Sequence, residues 1–145
     1  MNIIYLDYNC FQRSFDDPSQ IKIQMEALAC QEVFSRAERR EIRLVWSFMH
    51  QDETLLCPFP ERKIEVLRLA LLCQERLGPS DDIYRLAKSL QSQTNLWAKD
   101  AIHLACAIHS GAQLFLTCDD RLAKQARRLT LAFAVMNPIE FIGGE

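Results

Sequence analysis

The chain has 145 residues, 49% of them hydrophobic and 25% charged, with a formal net charge of −2. That length suits one ordinary domain with a real core, expected over residues 1–145, and leaves little for a second. The slight negative balance excludes a general pull towards nucleic acid, so a bound polyanion needs a local basic patch or a metal.

"NIIYLD" reads as a short buried strand, because apolar β-formers fill consecutive positions. "NCFQRSFDDPSQ" reads as a turn-rich link, with Asp16, Asp17 or Ser19 as caps for the next helix. From Ile21 to Arg40 the pattern is helical, with Ile21, Met25, Leu28, Val33, Phe34 and Ala37 on the expected inner face. "IRLVWS" is the second buried strand and "FMHQDETLL" a short helix. Pro60 is suited to open a helix that runs to the Gly78-Pro79 stop, with Ile64, Leu67, Leu71 and Leu72 expected in the core. Ser80 caps the next helix, "SDDIYRLAKSLQSQ"; "WAKDAIHLACAIHSG" is helical and ends at Gly111. "QLFLT" is a third strand, "DDRLAKQARRL" a helix, "LAFAVM" a fourth strand and "NPIEFIGG" a tail.

Six cysteines form no CxxC pair and stand at no Cys/His spacing of a zinc site, so they read as reduced, mostly buried thiols. No apolar run reaches the roughly 20 residues of a membrane span. The N-terminal run meets Asp7 too soon for a signal peptide. The expected setting is cytoplasmic, with no membrane partner.

Alternating strands and helices imply right-handed parallel crossovers. The expected fold is therefore a three-layer α/β/α sandwich around a mainly parallel sheet of four or five strands. Ligand sites in such folds lie beyond the carboxyl ends of the strands. Asp7 and Asp119 each follow a strand and should project from one edge. Asp100 opens the helix leading back to the third strand, and Glu53 follows the second strand on a helix that can turn it inward.

Four carboxylates in one pocket cannot all stay ionised without a cation. An oxygen-only donor set suits Mg²⁺ or Mn²⁺ rather than zinc. Such an ion activates water and stabilises charge on a phosphodiester, so the chemistry suggested is metal-dependent phosphodiester hydrolysis.

"LDYN" (6–9), "KDAIHLACAI" (99–108) and "LFLTCDDRLAK" (114–124) resemble the motifs of PIN-domain ribonucleases, the family that includes the toxins of VapC-type toxin–antitoxin pairs. The resemblance implies a Mg²⁺- or Mn²⁺-dependent endoribonuclease that cuts RNA, with a cognate antitoxin as possible partner. The family's motif acids match Asp7, Asp100 and Asp119, with Asn9 and Thr117 in support. Its acid after the second strand matches Glu53, which "ETLLCPFPERK" favours; Asp52, Glu26 and Glu32 are the other candidates.

Arg121, Lys124 and Arg128 share one face of the helix after Asp119 and are candidate RNA contacts; a solvated helix face is the plainer explanation. Asp120 is expected in that helix's first turn. His103 reads first as a satisfied interior histidine and second as a residue that orients a carboxylate. Apolar excess on the 61–77 helix would make a partner surface, and a homodimer is expected. Two rival functions remain. A catalytically degenerate PIN fold would bind RNA or protein. An aspartate-nucleophile phosphotransferase, similar to haloacid-dehalogenase-like phosphatases, would need a second Asp where Asn9 stands.

Overall fold

A strand buried on both faces must pair its backbone groups with neighbouring strands, and the apolar runs Asn2–Leu6, Ile42–Ser47 and Leu114–Leu116 do so at the centre of a five-stranded sheet. The computed structural model describes residues 2–144. Its elements are β1 (Asn2–Leu6), α1 (Tyr8–Gln12), a 3-10 turn (Arg13–Phe15), α2 (Ile21–Glu38), β2 (Ile42–Ser47), α3 (Phe48–Leu55) and α4 (Pro60–Ala70). Then follow β3 (Glu75–Leu77), α5 (Asp81–Ser92), α6 (Ala98–His109), β4 (Leu114–Leu116), α7 (Asp120–Ala126), β5 (Ala134–Met136) and α8 (Pro138–Gly143).

The sheet is parallel throughout, in the order β3-β2-β1-β4-β5. Successive side chains point to opposite faces. Ile4, Leu6, Leu44, Trp46 and Leu116 enter one apolar cluster with Phe11 of α1, Val33 and Phe34 of α2 and Val66 of α4. Tyr5, Val45 and Phe115 enter the other with Ile83 of α5, Leu104 of α6 and Leu122 of α7. The architecture is the three-layer α/β/α sandwich expected, with five strands. Among the described residues no helix is long and apolar enough to cross a membrane.

Four segments differ from the sequence reading. The supposed link after β1 is helical, because Asp7 at the strand end caps α1 through the Tyr8 N–H at 2.8 Å. Helix α2 then begins after Gln20 without a side-chain cap, so Asp16, Asp17 and Ser19 do not serve as one.

The inner face of α2 is Glu26, Ala29, Cys30, Val33, Phe34 and Ala37, while Ile21, Met25 and Leu28 are exposed. Helix α4 stops at Ala70 rather than at Gly78-Pro79. Pairing of Glu75–Leu77 with Val45–Ser47 overrides helical periodicity there, and Arg76 Nη2 donates to the freed Ala70 carbonyl at 2.8 Å. That stripe of α4 leaves Ile64, Leu67 and Leu71 exposed and Leu72 half-buried. The "NPIEFIGG" tail is helix α8, capped by Asn137 and packed on α2.

Helices α2 and α6 end in the same double closure. After α6, Gly111 and Ala112 donate to the Ile108 and Ala107 carbonyls, with Gly111 at φ 73°. After α2, Arg40 and Glu41 donate to the Ala37 and Arg36 carbonyls, with Arg40 at φ 62°. This cap needs the left-handed region, which costs a side-chain-bearing residue roughly 1 kcal/mol. Arg40→Gly is therefore expected to stabilise the fold by about 1 kcal/mol in urea unfolding, and Gly111→Ala to weaken it by a similar amount.

Candidate functional site

Strand order reverses between β1 and β4, and loops diverge there beyond the strand ends to leave a crevice. The Asp7 N–H donates to the Leu116 carbonyl at 2.8 Å, which fixes the two strand ends side by side. Asp7, Glu53, Asp100 and Asp119 all line one cleft of about 510 Å³ at this edge.

Each acid is held differently. Asp7 is buried; its Oδ1 accepts from the Tyr8 N–H, and its Oδ2 accepts from Thr117 Oγ1 at 2.7 Å and Asn9 Nδ2 at 3.1 Å. Burial pushes its carboxyl up, against the opposing pull of the Thr117 hydrogen bond. Asn9 Oδ1 also accepts from the Cys118 N–H at 3.2 Å, so Asn9 and Thr117 stitch the ends of β1 and β4 together.

Asp119 caps α7, its Oδ1 accepting from the Arg121 and Leu122 N–H groups at 2.9 and 3.2 Å. It also faces the cleft. Asp120 points away, in the first turn, and pairs with Lys22 at 2.8 Å.

Asp100 stands in the first turn of α6, buried, and its Oδ2 has no hydrogen-bond partner among the described residues. Burial raises its carboxyl to about 6, with the charges of Asp7 and Asp119 adding to the effect.

Glu53 Oε1 meets His103 Nε2 at 2.5 Å, and its Oε2 lies 3.6 Å from Lys99 Nζ. With Glu53 Oε1 as the acceptor, His103 donates from Nε2 and accepts the Tyr5 O–H hydrogen bond on Nδ1 at 2.7 Å. Burial holds the Tyr5 hydroxyl well above its usual range, which keeps it a donor. The Tyr5 oxygen meets Ser47 Oγ at 2.8 Å, and Ser47 Oγ meets His50 Nδ1 at 3.1 Å. His50 accepts the Ser47 N–H on Nδ1 and donates from Nε2 to the Leu6 carbonyl at 2.7 Å. Burial holds its imidazole neutral, well below 6.5. A buried chain thus runs from the end of β1 through two histidines to a cleft carboxylate. His103 is both interior and orienting; sequence reasoning gave His50 no role, and only its apolar setting hinted at one.

The other candidate acids lie elsewhere. Glu26 is buried against Arg13 at 3.1 Å and Asn137 at 2.6 Å. Glu32 pairs with Arg36 and Arg39 at 3.2 Å each, and Asp52 is exposed on α3. Arg121, Lys124 and Arg128 are exposed on and just after α7. Arg121 donates to the Asn95 carbonyl at 2.6 Å and lies 4.8 Å above the Trp97 ring, at the cleft wall.

Among the lining residues that sequence reasoning missed are Lys99, Arg62, Trp97 and Phe59. The adjacency of Lys99 to Asp100 and of Arg62 to the Pro60 break were the available signals. Arg62 is held over the Phe59 ring at 5.1 Å.

The donor set fits a hard cation: four carboxylates, with one buried oxygen unpaired. The carboxylates do not crowd together, however. Among the described residues the one group of three side chains with ligand atoms all within 4.8 Å is Cys10, Cys30 and Cys118. Existing hydrogen bonds draw Asp7, Glu53 and Asp119 towards separate partners. Mg²⁺ keeps several waters when bound, so a wider set can still serve it.

A protein-family model described as PIN domain matches residues 22–128. No curated protein matches the chain. Among solved structures, VapBC2 from Rickettsia felis, bound to a DNA fragment from its promoter, is similar with a TM-score of 0.61 at 12% identity. The match covers 93% of this chain and 98% of that one, and at such identity it speaks to fold alone.

Proposed function

The chain belongs to the PIN domain family, and on that premise we propose that it is a Mg²⁺- or Mn²⁺-dependent endoribonuclease. The observation that carries this reading is the buried, unpaired Asp100 Oδ2 in a cleft lined by three further carboxylates. Asp7, Asp100 and Asp119 would hold the ion, with Glu53 beside them. The ion supplies charge neutralisation and Lewis acidity at the scissile phosphate.

The chain's own groups do the rest. His103 keeps Glu53 aimed by donating to its Oε1. Lys99 and Arg62 bind flanking phosphates from the cleft wall. Phe59 and Trp97, both more than half exposed, offer faces for unstacked bases, which favours single-stranded RNA. Arg121 extends the basic wall from Trp97, with Lys124 and Arg128 further along the same face.

The fold likeness to VapBC2 supports a toxin role with an antitoxin partner. Exposed apolar stripes on α2 (Ile21, Met25, Leu28) and α4 (Ile64, Leu67, Leu71) suit that partner or a second copy in a homodimer. The cytoplasm, where RNA and reduced thiols coexist, is the proposed setting.

The test is cleavage of a panel of single-stranded RNAs with Mn²⁺. Cleavage should vanish in Asp7→Asn and Asp100→Asn while circular dichroism shows both variants folded. The spread of the carboxylates supports a second reading, a non-catalytic PIN fold that binds RNA. It predicts RNA retention without cutting across the whole panel.

A further inference from the structure

Cys10 on α1, Cys30 on α2 and Cys118 in the turn between β4 and α7 come from three separate parts of the chain. All are buried, and their sulfurs lie within 4.8 Å of one another. Chance burial of apolar cysteines explains one such residue, but three converging sulfurs form a ligand set. A metal–sulfur distance of about 2.3 Å separates the sulfurs of a trigonal or tetrahedral set by about 4 Å. The observed spacing is close to that set.

We propose that Cys10, Cys30 and Cys118 bind one thiophilic d¹⁰ metal ion, of the Zn²⁺ or Cd²⁺ kind, at a site separate from the carboxylate cleft. Soft thiolates select such ions and reject Mg²⁺, Mn²⁺ and Ca²⁺. Coordination replaces each S–H proton by a metal–sulfur bond, and the protons pass to solvent. Cys10 would give up weak hydrogen bonds to Asn9 Oδ1 at 3.5 Å and the Leu116 carbonyl at 3.6 Å.

Three thiolates and a divalent ion leave one negative charge. The Arg13 guanidinium stands close enough to Cys118 to answer it, while also facing Glu26 and Asp16. A cleft of about 360 Å³, lined by Cys10, Cys30, Phe11, Phe34, Leu69 and Leu72, supplies the entry path. Filling the site would tie α1, α2 and the β4–α7 turn together. Cys10 follows Asn9, and Cys118 lies between Thr117 and Asp119, so the tie would stiffen the floor of the acidic cleft.

The experiment titrates reduced protein with Cd²⁺ in excess Mg²⁺, using a phosphine reductant. One equivalent should bind with sulfur-to-cadmium charge-transfer absorption. Relative to the metal-free protein, bound Cd²⁺ should slow alkylation of Cys10, Cys30 and Cys118 and leave the rates at Cys57, Cys73 and Cys106 unchanged, as read by peptide mapping. Cys30→Ala and Cys118→Ala should each weaken binding by at least about a hundredfold. Cys73→Ala, which removes a buried thiol outside the cluster, should not. Absence of the absorption band, or protection of other cysteines, would overturn the proposal even if both alanine variants failed to fold.

Discussion

Asp100→Asn is expected to reduce Mn²⁺-dependent RNA cleavage by at least about a hundredfold and, without metal, to make the protein more stable at neutral pH. The second half follows from linkage. Burial and two neighbouring carboxylates raise Asp100 from 3.8 to about 6 in the folded chain. Between those values the native state binds more protons than the unfolded state, so stability falls as pH rises from about 4 to about 6. Above that window the ionised carboxylate leaves the metal-free fold weaker by on the order of 2–3 kcal/mol. An asparagine cannot ionise, so the variant should lack this slope. Urea unfolding in a chelator at pH 5 and pH 7.5 measures it. Mn²⁺ should then stabilise the parent protein more than the variant. A variant that is less stable than the parent at pH 7.5 would mark Asp100 as a purely structural helix-start acid.

His103→Phe should cost about 2–4 kcal/mol of stability although it leaves the volume of the interior nearly unchanged. Two groups lose a partner at once: the buried Tyr5 hydroxyl, left with Ser47 alone, and the half-buried Glu53 Oε1. A buried donor or acceptor left unmet costs about 1–3 kcal/mol, more than the net worth of the bond itself. Because the cost lies in orphaned groups, it should be strongly non-additive. Tyr5→Phe alone leaves His103 Nδ1 and Ser47 short of a partner. In the His103→Phe background the same change removes an orphan and should cost far less. Additive losses in that double-mutant cycle would sink the relay. Cleavage should also drop in His103→Phe, less than in Asp100→Asn, since Glu53 is misaimed rather than removed.

The central strands were legible because apolar residues fill most consecutive positions, as in "NIIYL" and in "IRLVWS", where Arg43 alone breaks the run. Strand ends followed by an acid located Asp7 and Asp119 at one edge, and helix direction brought Asp100 to them. Glu53 lines the same cleft, whereas Asp52, Glu26 and Glu32 do not. What sequence hid was decided by tertiary pairing. Glu75–Leu77 carries no strand pattern and becomes one only against β2. Leu28 and Ile64 fit a helical inner stripe, yet α2 buries Ala29 and Cys30 beside Val33 and Phe34 and leaves Leu28 outside. The thiol cluster was invisible for a similar reason, since its spacing exists in space and not along the chain.

The two edges of the sheet carry a further consequence. Strands β3 and β5 are three residues each, and a proline follows each within two residues, Pro79 and Pro138. On β3, Glu75 and Arg76 present charge, with Glu75 paired to Arg43 at 3.1 Å. Short, proline-stopped edges, charged on β3, offer little template for another chain's backbone. Aggregation by strand addition is therefore disfavoured at both margins, which leaves self-association to the exposed helix side chains.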